Sequence, residues 1–301
     1  MPSLPLIFTV CHINQLANAF VLGDSIKKHH PDYQFFIGLV DSKKNIPAKI
    51  NSPYPIIDIE ELNLDGFAEM SRKYTWDELS ADCKPFFAQY FLEKNKNKII
   101  YFDCTSIIYQ PISFLSEILD NQSIILVPQL LHAGVHPDEK QILNTGIFHS
   151  GFFALKHSTE VVSFLNWWKE NTKTKGFHDL CKGLNADQLW LEHVPAMFEK
   201  VSILKEEGIN IGYWNLSERN IYSDENKTLI DEKKVISVNF KGLKYWKSYK
   251  NLIEQYQDTL LKTVKPSYGI PNPKDKTFQK NIAKNIRAIN YIFDWFLDKI
   301  S

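Results

Sequence analysis

Short apolar runs that alternate with segments of helical spacing most constrain how this chain can fold. Residues 6–10 and 35–41 predict two buried strands, and residues 14–30 between them carry apolar side chains at helical spacing. The alternation continues with strands at 56–59, 98–103, 124–127 and 151–155, and with helices at 84–92, 160–171 and 186–193. This order predicts an α/β fold with a mostly parallel central sheet and helices on both faces.

A proline-containing segment divides the chain near its C-terminus. Residues 265–273 contain three prolines and a glycine, which end the preceding helical pattern. We therefore predict one domain over residues 1–264, followed over residues 265–301 by this linker and an amphipathic C-terminal helix. The apolar face of that helix predicts a helical tail packed on its own domain. A peripheral contact with a membrane surface and a homodimer contact are the alternatives.

Charge and cysteine content exclude several classes of protein. The 35 basic and 35 acidic residues give no net charge, which argues against nucleic acid as a partner. The four cysteines are widely spaced and contain no C-x-x-C pair, so neither a zinc site nor a disulfide framework is predicted. No signal peptide and no bilayer-length apolar segment is evident, so we expect a cytoplasmic protein.

Two aspartates follow predicted strands directly, at the edge where sheets of this kind bind ligands. Asp41 ends the second strand, and Asp103 ends the strand at 98–103. A carboxylate at a strand end can hold a cation that is bound to phosphate, although a turn aspartate is an equal alternative for Asp103. Asp187 and Gln188 stand near the start of a predicted helix, where an acid is also favoured by the helix dipole alone.

Two later segments combine turn-forming and ligand-binding residues. Residues 208–216 are rich in glycine, asparagine and aromatic residues, a combination found in carbohydrate sites and also in ordinary cores. Residues 239–246 place Gly242 between Lys241 and Lys244 after a predicted strand, which is suited to a diphosphate or is a solvated loop. Hydrolase, P-loop and dinucleotide-binding motifs are absent from the sequence.

Taken in order, these segments resemble a GT-A-type glycosyltransferase and are similar to bacterial family-eight-like enzymes. The resemblance runs from about residue 8 to residue 246, and it lies in the order of the segments more than in any one of them. It is carried by FTVCHIN at 8–14, GLVD at 38–41, KPFF at 84–87, YFDCT at 101–105, LNTG at 143–146, FHSGF at 148–152, ADQ at 186–188, YWNL at 213–216 and NFKG at 239–242.

The resemblance implies a nucleotide-sugar donor, with UDP-sugars favoured, and a glycan or lipid-linked acceptor. It implies that the nucleotide and its diphosphate contact Thr9, Cys11, Asn14, Asp41, Lys84, Asp103, Thr105, Lys241 and Lys244. It places Asp187 and Gln188 at the reaction centre, and the transferred sugar or the acceptor beside Asn144, His149, Trp214 and Asn215. On this basis we expect Lys84→Ala to weaken donor binding while leaving the fold intact.

Three departures from the family pattern bear on the metal ion. The usual Asp-x-Asp is Asp103-Cys104-Thr105, the usual His-Phe-x-Gly begins with Asn239, and the usual Asn-x-Gly begins with His149. A Mg²⁺ or Mn²⁺ ion held by Asp103, with Thr105 and Asn239 in place of the usual ligands, would bind weakly because hard cations need charged oxygen ligands. We therefore expect no standard metal site, with lysines stabilising the leaving diphosphate instead.

The resulting hypothesis is a glycosyltransferase that moves a sugar from a nucleoside-diphosphate donor to a glycan, lipid-linked or protein-linked acceptor. The pathway implied is bacterial surface polysaccharide or glycoconjugate assembly, either free in the cytoplasm or on the inner face of the membrane. Two alternatives stay open. One is a catalytically degenerate, glycosyltransferase-like binding protein, and the other is a nucleotidylyltransferase, which is disfavoured because no glycine-rich basic loop follows the first strand.

Overall fold

The structure, a computed structural model, describes residues 4–48, 50–94, 97–134, 139–219, 221–223, 228–230, 233–246 and 249–264. The predicted linker and C-terminal helix over 265–301 lie outside the described residues. A membrane-spanning helix is absent from the described ranges, because none of their helices is both long and apolar enough to cross a bilayer.

Seven strands form the central sheet of the molecule. In chain order they are β1 (Leu6–Cys11), β2 (Gln34–Leu39), β3 (Ile56–Asp58), β4 (Lys98–Phe102), β6 (Ile124–Pro128), β7 (Phe148–Lys156) and β10 (Val201–Ile203). Their order across the sheet is β10-β6-β7-β4-β1-β2-β3. β7 runs antiparallel to both of its neighbours, and the other pairs are parallel. The mostly parallel sheet predicted from the sequence is therefore confirmed.

Nine α-helices lie in the described part of the chain. They are α1 (Leu16–His29), α2 (Phe67–Lys73), α3 (Trp76–Asp82), α4 (Lys84–Glu93), α5 (Ser113–Asn121), α6 (Glu139–Thr145), α7 (Thr159–Lys175), α8 (Val194–Met197) and α9 (Lys250–Val264). The predicted helices at 14–30, 84–92 and 160–171 correspond to α1, α4 and α7. The predicted helix at 186–193 is wrong at its start, because a 3-10 helix over Leu189–His193 leads into α8 instead.

Smaller strands complete the fold. β5 (Ser106–Ile108) pairs antiparallel with β14 (Ser237–Asn239), and β8 (His178–Asp179) pairs with β9 (Leu184–Asn185). β11 (Ile221–Ser223), β12 (Thr228–Ile230) and β13 (Lys233–Lys234) form a separate antiparallel sheet. The β5–β14 pair matters for function, because it brings residues 239–242 next to the end of β4.

The two faces of the central sheet carry separate hydrophobic cores, as the alternating direction of side chains along a strand requires. On β4, Tyr101 packs in the core beneath α4 and α7, whereas Phe102 packs in the core beneath α1 and α5. On β7, Phe153 and Phe152 divide in the same way. Helices therefore cover both faces, as predicted, and functional side chains are left at the ends of the strands.

Candidate active site

A buried lysine forms the centre of a polar cluster at the end of β4. Lys84 opens α4, and its Nζ lies 3.0 Å from Oδ2 of Asp187 and 3.5 Å from Oδ1 of Asp103. The ammonium also donates hydrogen bonds to the carbonyl and to Oγ of Ser150, each at 3.1 Å. The Ser150 hydroxyl in turn donates to Oδ1 of Asp187 at 3.1 Å. One ammonium thus joins two predicted site carboxylates that are far apart in the sequence.

Both oxygens of the Asp103 carboxylate accept hydrogen bonds from the protein. The Tyr101 hydroxyl donates to Oδ1 at 2.8 Å, and Nδ2 of Asn239 donates to Oδ2 at 3.0 Å. The other end of the Asn239 amide accepts from the Thr105 hydroxyl at 2.7 Å and from the backbone N–H of Lys241 at 3.0 Å. Because two donors point at that end, it must be the oxygen, and the NH₂ group must face Asp103.

These hydrogen bonds bear on whether the residues fit a divalent metal ion. Asn239 joins the three residues that the resemblance assigns to the metal-ligand positions: it accepts from Thr105 and donates to Asp103. The amide presents donor hydrogens to Asp103, and the hydroxyl hydrogen of Thr105 is directed at the amide oxygen, so neither group is arranged to share a cation with the carboxylate. No group of three or more His, Cys, Asp or Glu suited to a metal occurs among the described residues. The residues do not fit a resident divalent ion.

Burial and charge act in opposite directions on the three central groups. Burial alone would lower the pKa of the Lys84 ammonium, but Asp187 and Asp103 raise it above its ordinary value. Burial alone would raise the pKa of Asp103, but Lys84, Lys241 and the Tyr101 hydrogen bond hold it well below its usual range. Burial raises the pKa of Asp187. The cluster therefore contains a stable ammonium and a stable carboxylate at neutral pH.

A tight turn presents Asp187 and Gln188 to the cluster. Ala186 adopts a positive φ of 46°, and the Trp168 indole donates to the carbonyl of Asp187 at 2.9 Å. Gln188 accepts from the backbone N–H of Ser150 at 3.2 Å and donates to the carbonyl of Thr145 at 2.7 Å. These contacts explain why a helix does not start at Ala186: the turn aims both side chains at β7.

His149 lies on β7 next to the cluster and is neutral. Its Nδ1 accepts from the backbone N–H of Gly151 at 3.0 Å, so the ring proton is on Nε2. Burial lowers the pKa of His149 to about 3. Gly151 is required at this point because a Cβ there would lie 2.6 Å from the His149 ring and 2.7 Å from Oδ2 of Asp103. A larger residue would therefore disturb both groups.

Two cavities lie next to each other at the carboxyl ends of the strands. The smaller, of about 60 Å³, is lined by Lys84, Asp103, Thr105 and Lys241 among others. The larger, of about 630 Å³, is lined by Asp41 and Trp76 among others. Asp77 lines the smaller cavity and Trp76 lines the larger one, so both cavities border the start of α3.

Comparison with known proteins gives a consistent picture of the architecture. No protein-family model matches the chain. It is 24% identical over 251 residues to the uncharacterised protein YfnF of Bacillus subtilis, covering 78% of this chain and 80% of YfnF. The glycosyltransferase GlyE of Streptococcus pneumoniae superposes with a TM-score of 0.53 at 13% identity, covering 86% of this chain and 60% of GlyE. This chain has a GT-A-type glycosyltransferase fold.

A second similar structure is that of the galactosyltransferase LgtC in complex with donor and acceptor sugar analogues. It matches with a TM-score of 0.47 at 14% identity, covering 85% of this chain and 95% of LgtC. The GT-A-type fold is the part of the resemblance that is confirmed, and at such low identity it carries no chemistry by itself. The chemistry must be argued from the site.

The remaining predicted residues differ in where the GT-A-type fold places them. Asp41 borders the larger cavity. Asn14 is exposed just after the end of β1, and Asn144 is exposed on α6. Thr9 and Cys11 are fully buried in β1, and Trp214 and Asn215 are 4% and 1% exposed, so the structure places these four inside the protein rather than at its surface. Lys244 belongs to a 3-10 turn, Leu243–Tyr245, and its side chain lies outside the described part.

The sequence interpretation missed several residues of the site. Tyr101 and Ser150 stand inside motifs that were recognised, but their hydroxyls bond to Asp103 and Asp187 only in the folded chain. Trp76 lies between the helix-capping residues Thr75 and Glu78, whose Thr-x-x-Glu signature could have located the start of α3.

Asp82, also missed, is buried beneath the site at the end of α3. Neither of its carboxylate oxygens has a hydrogen-bond partner among the described residues. A Cβ at Gly176 would lie only 1.9 Å from Oδ2 of Asp82, so the glycine makes room for the carboxyl group. Burial, reinforced by the charge of Asp187, raises the pKa of Asp82 well above its ordinary value. We infer that Asp82 keeps its proton to a higher pH than an exposed aspartate does.

Proposed function

We propose that the protein transfers a sugar from a nucleoside-diphosphate donor to a hydroxyl group of a glycan, lipid-linked or protein-linked acceptor. The observation that carries this proposal is the position of Lys84 between Asp103 and Asp187, at the strand ends of a GT-A-type fold and on the wall of a cavity that Lys241 also lines. Cationic groups at such a position are suited to a diphosphate leaving group.

The two cavities support a donor that consists of a nucleoside and a diphosphate. The larger, beside Asp41 and Trp76, has the size and the aromatic wall that a nucleoside needs. The smaller, beside Lys84 and Lys241, would receive the diphosphate. A UDP-sugar is the donor that the family resemblance favours. By the resemblance, Asp187 and Gln188 would lie beside the transferred sugar, and Asp187 is in direct contact with Lys84.

In this reaction the bond between the anomeric carbon and a diphosphate oxygen breaks, and its electron pair leaves with the nucleoside diphosphate. The acceptor oxygen forms a new bond to the anomeric carbon and loses its proton. Charge accumulates on the departing oxygen, where Lys84 and Lys241 would stabilise it. His149 would add a neutral Nε2–H donor, and its low pKa keeps it neutral throughout the physiological range.

We also propose that transfer proceeds without a bound metal ion. The support for this is the set of hydrogen bonds at Asp103, whose oxygens already accept from Tyr101 and Asn239. In this arrangement the fixed charge of Lys84 would take the place that a divalent cation occupies in the family pattern. By resemblance we place the reaction in surface polysaccharide or glycoconjugate assembly, in the cytoplasm or on the inner face of the membrane.

A binding protein without turnover is the second candidate. The observation that favours it is that the charge of Lys84 is already matched by two buried carboxylates, which leaves less of it for a phosphate. Turnover separates the two functions, since only the enzyme releases nucleoside diphosphate. Release of pyrophosphate would instead indicate nucleotidylyl transfer.

Isothermal titration of the folded protein with the common nucleotide sugars, with and without Mn²⁺, tests the proposal. We expect one nucleotide sugar to bind, with an affinity that changes little on adding the ion. Lys241→Ala should weaken that binding because it removes one phosphate contact, and Lys205→Ala, which removes an exposed cation that is not among the lining residues of either cavity, is the matched control. Failure of every nucleotide sugar to bind would refute the proposal.

A further inference from the structure

Four aromatic rings form a continuous contact from the polar cluster to the protein surface. The His149 ring stacks on Trp214 with ring centres 3.6 Å apart and planes inclined by 15°. Trp214 contacts Tyr213 edge to face at 5.3 Å, and Tyr213 contacts Tyr245 at 4.8 Å with planes inclined by 31°. The inner end of this aromatic stack lies next to Asp103, because a Cβ at Gly151 would touch both His149 and that carboxylate.

Exposure increases along the aromatic stack. Trp214 is 4% exposed, Tyr213 is 41% exposed and Tyr245 is 57% exposed. Gly242 lets the outer rings meet, because it turns the chain with a φ of +71° and a Cβ there would lie 3.1 Å from both tyrosine rings. Two exposed aromatic rings in contact form a surface that is suited to ligand binding.

Lys241 connects this surface to the proposed donor site. It lines the smaller cavity together with Lys84 and Asp103, and it directly precedes Gly242. The nucleoside, by contrast, would occupy the larger cavity beside Asp41 and Trp76. The tyrosine pair is therefore next to the diphosphate end of the donor, which is where the second substrate of a transfer reaction has to enter.

We propose that Tyr213 and Tyr245 form the acceptor platform, which stacks against one pyranose ring of a saccharide acceptor. This inference rests on the proposed function. Aromatic rings offer an apolar face to the C–H side of a sugar, and the tyrosine hydroxyls can exchange hydrogen bonds with its hydroxyl groups. Trp214, which the sequence placed at the acceptor, holds Tyr213 in position from beneath. Trp214 in turn stacks on His149.

The test measures glycoside binding by saturation-transfer NMR in the presence of saturating nucleoside diphosphate. The probes are the methyl α- and β-pyranosides of glucose, galactose and N-acetylglucosamine, because a platform for one ring should bind a monosaccharide. Tyr213→Ala with Tyr245→Ala is compared with Tyr222→Ala, which removes a tyrosine that is 62% exposed on β11. Tyr213→Phe with Tyr245→Phe keeps the rings and removes only the hydroxyls.

We expect at least one glycoside to bind the unaltered protein and the Tyr222→Ala variant equally. The double alanine variant should weaken this binding roughly tenfold or more, whereas the double phenylalanine variant should keep most of it, because the rings supply the contact. Equal glycoside binding by the double alanine variant, or no glycoside binding by the unaltered protein, would overturn the platform. Titration with nucleotide sugars separates the two claims: an unaltered protein that binds no nucleotide refutes the proposed function, whereas a bound nucleotide with unaffected glycoside binding refutes the platform alone.

Discussion

Replacing Lys84 by alanine should destabilise the whole protein, not only its ligand site. The change removes an ammonium 3.0 Å from Asp187 and 3.5 Å from Asp103 and leaves both carboxylates buried without it. Each contact is worth about 5 kcal/mol before desolvation at an effective dielectric constant of about 20. After desolvation, losing one partner of a buried ion pair costs about 3–5 kcal/mol. The expectation from sequence that this variant keeps its fold intact is therefore revised.

The pH dependence of that loss has a definite sign. Without Lys84, burial would raise the pKa of both carboxyl groups in the folded state above their unfolded value of about 4. Above that pH the folded variant would therefore bind more protons than the unfolded variant. The unfolding free energy of the variant should therefore fall as the pH rises, and its deficit relative to the unaltered protein should be larger at pH 8 than at pH 5. In the unaltered protein the raised pKa of Lys84 keeps its stabilising charge throughout this range.

Urea unfolding at pH 5 and pH 8, followed by circular dichroism, measures both effects. Lys98→Ala is the matched control, because Lys98 is also buried but its carboxylate partner Asp120 is 56% exposed and can be solvated when the lysine is lost. We expect a smaller loss of unfolding free energy for Lys98→Ala. A Lys84→Ala protein as stable as the unaltered protein at pH 8 would refute the account of the buried cluster.

Three further predictions concern neighbouring residues. Under saturating donor, sugar transfer should survive EDTA, and Thr105→Asp with Asn239→His should create a metal dependence; loss of transfer on chelation, restored by one divalent ion, would contradict this. Between about pH 4 and the raised pKa of Asp82 in the folded protein, Asp82→Asn should remove a decline in unfolding free energy of up to about 1.4 kcal/mol per pH unit, because in that range the buried acid releases its proton only on unfolding; parallel pH curves of the two proteins in urea would disprove it. Gly151→Ala should cost about 1–3 kcal/mol of stability by pressing on Asp103, as thermal unfolding would reveal, and an unchanged melting temperature would count against it.

The fold was accessible from sequence because its signals are local. The apolar runs at 6–10 and 98–103 predicted buried strands, and the helical segments between strands favoured crossovers that return to a parallel sheet. The antiparallel direction of β7 was not accessible, because the side-chain pattern of a strand is the same whichever way it runs. The start of the helix at 186 failed because tertiary contacts of Asp187 and Gln188 outweigh local propensity.

The site was less accessible because its contacts join distant parts of the chain. Sequence reasoning selected Lys84, Asp103 and Asp187 separately, but nothing in their spacing indicates that one ammonium bridges both carboxylates. The orientation of adjacent aromatic residues is also hidden: Tyr213 and Trp214 are neighbours, yet only the first is exposed. Which ring faces solvent depends on the stack of Trp214 on His149, two residues that are 65 positions apart in the sequence.

Turnover of a nucleotide sugar is the most direct test of the central claim. The protein would be incubated in EDTA with the nucleotide sugar that binds in titration and with a pool of saccharide acceptors, and products would be separated by liquid chromatography. We expect nucleoside diphosphate and a glycosylated acceptor to form in equal amounts with the unaltered protein, and neither to form with Asp187→Ala if that variant remains folded. A nucleotide sugar that binds tightly but is never consumed, with or without a divalent ion, would contradict the assignment of this site to glycosyl transfer.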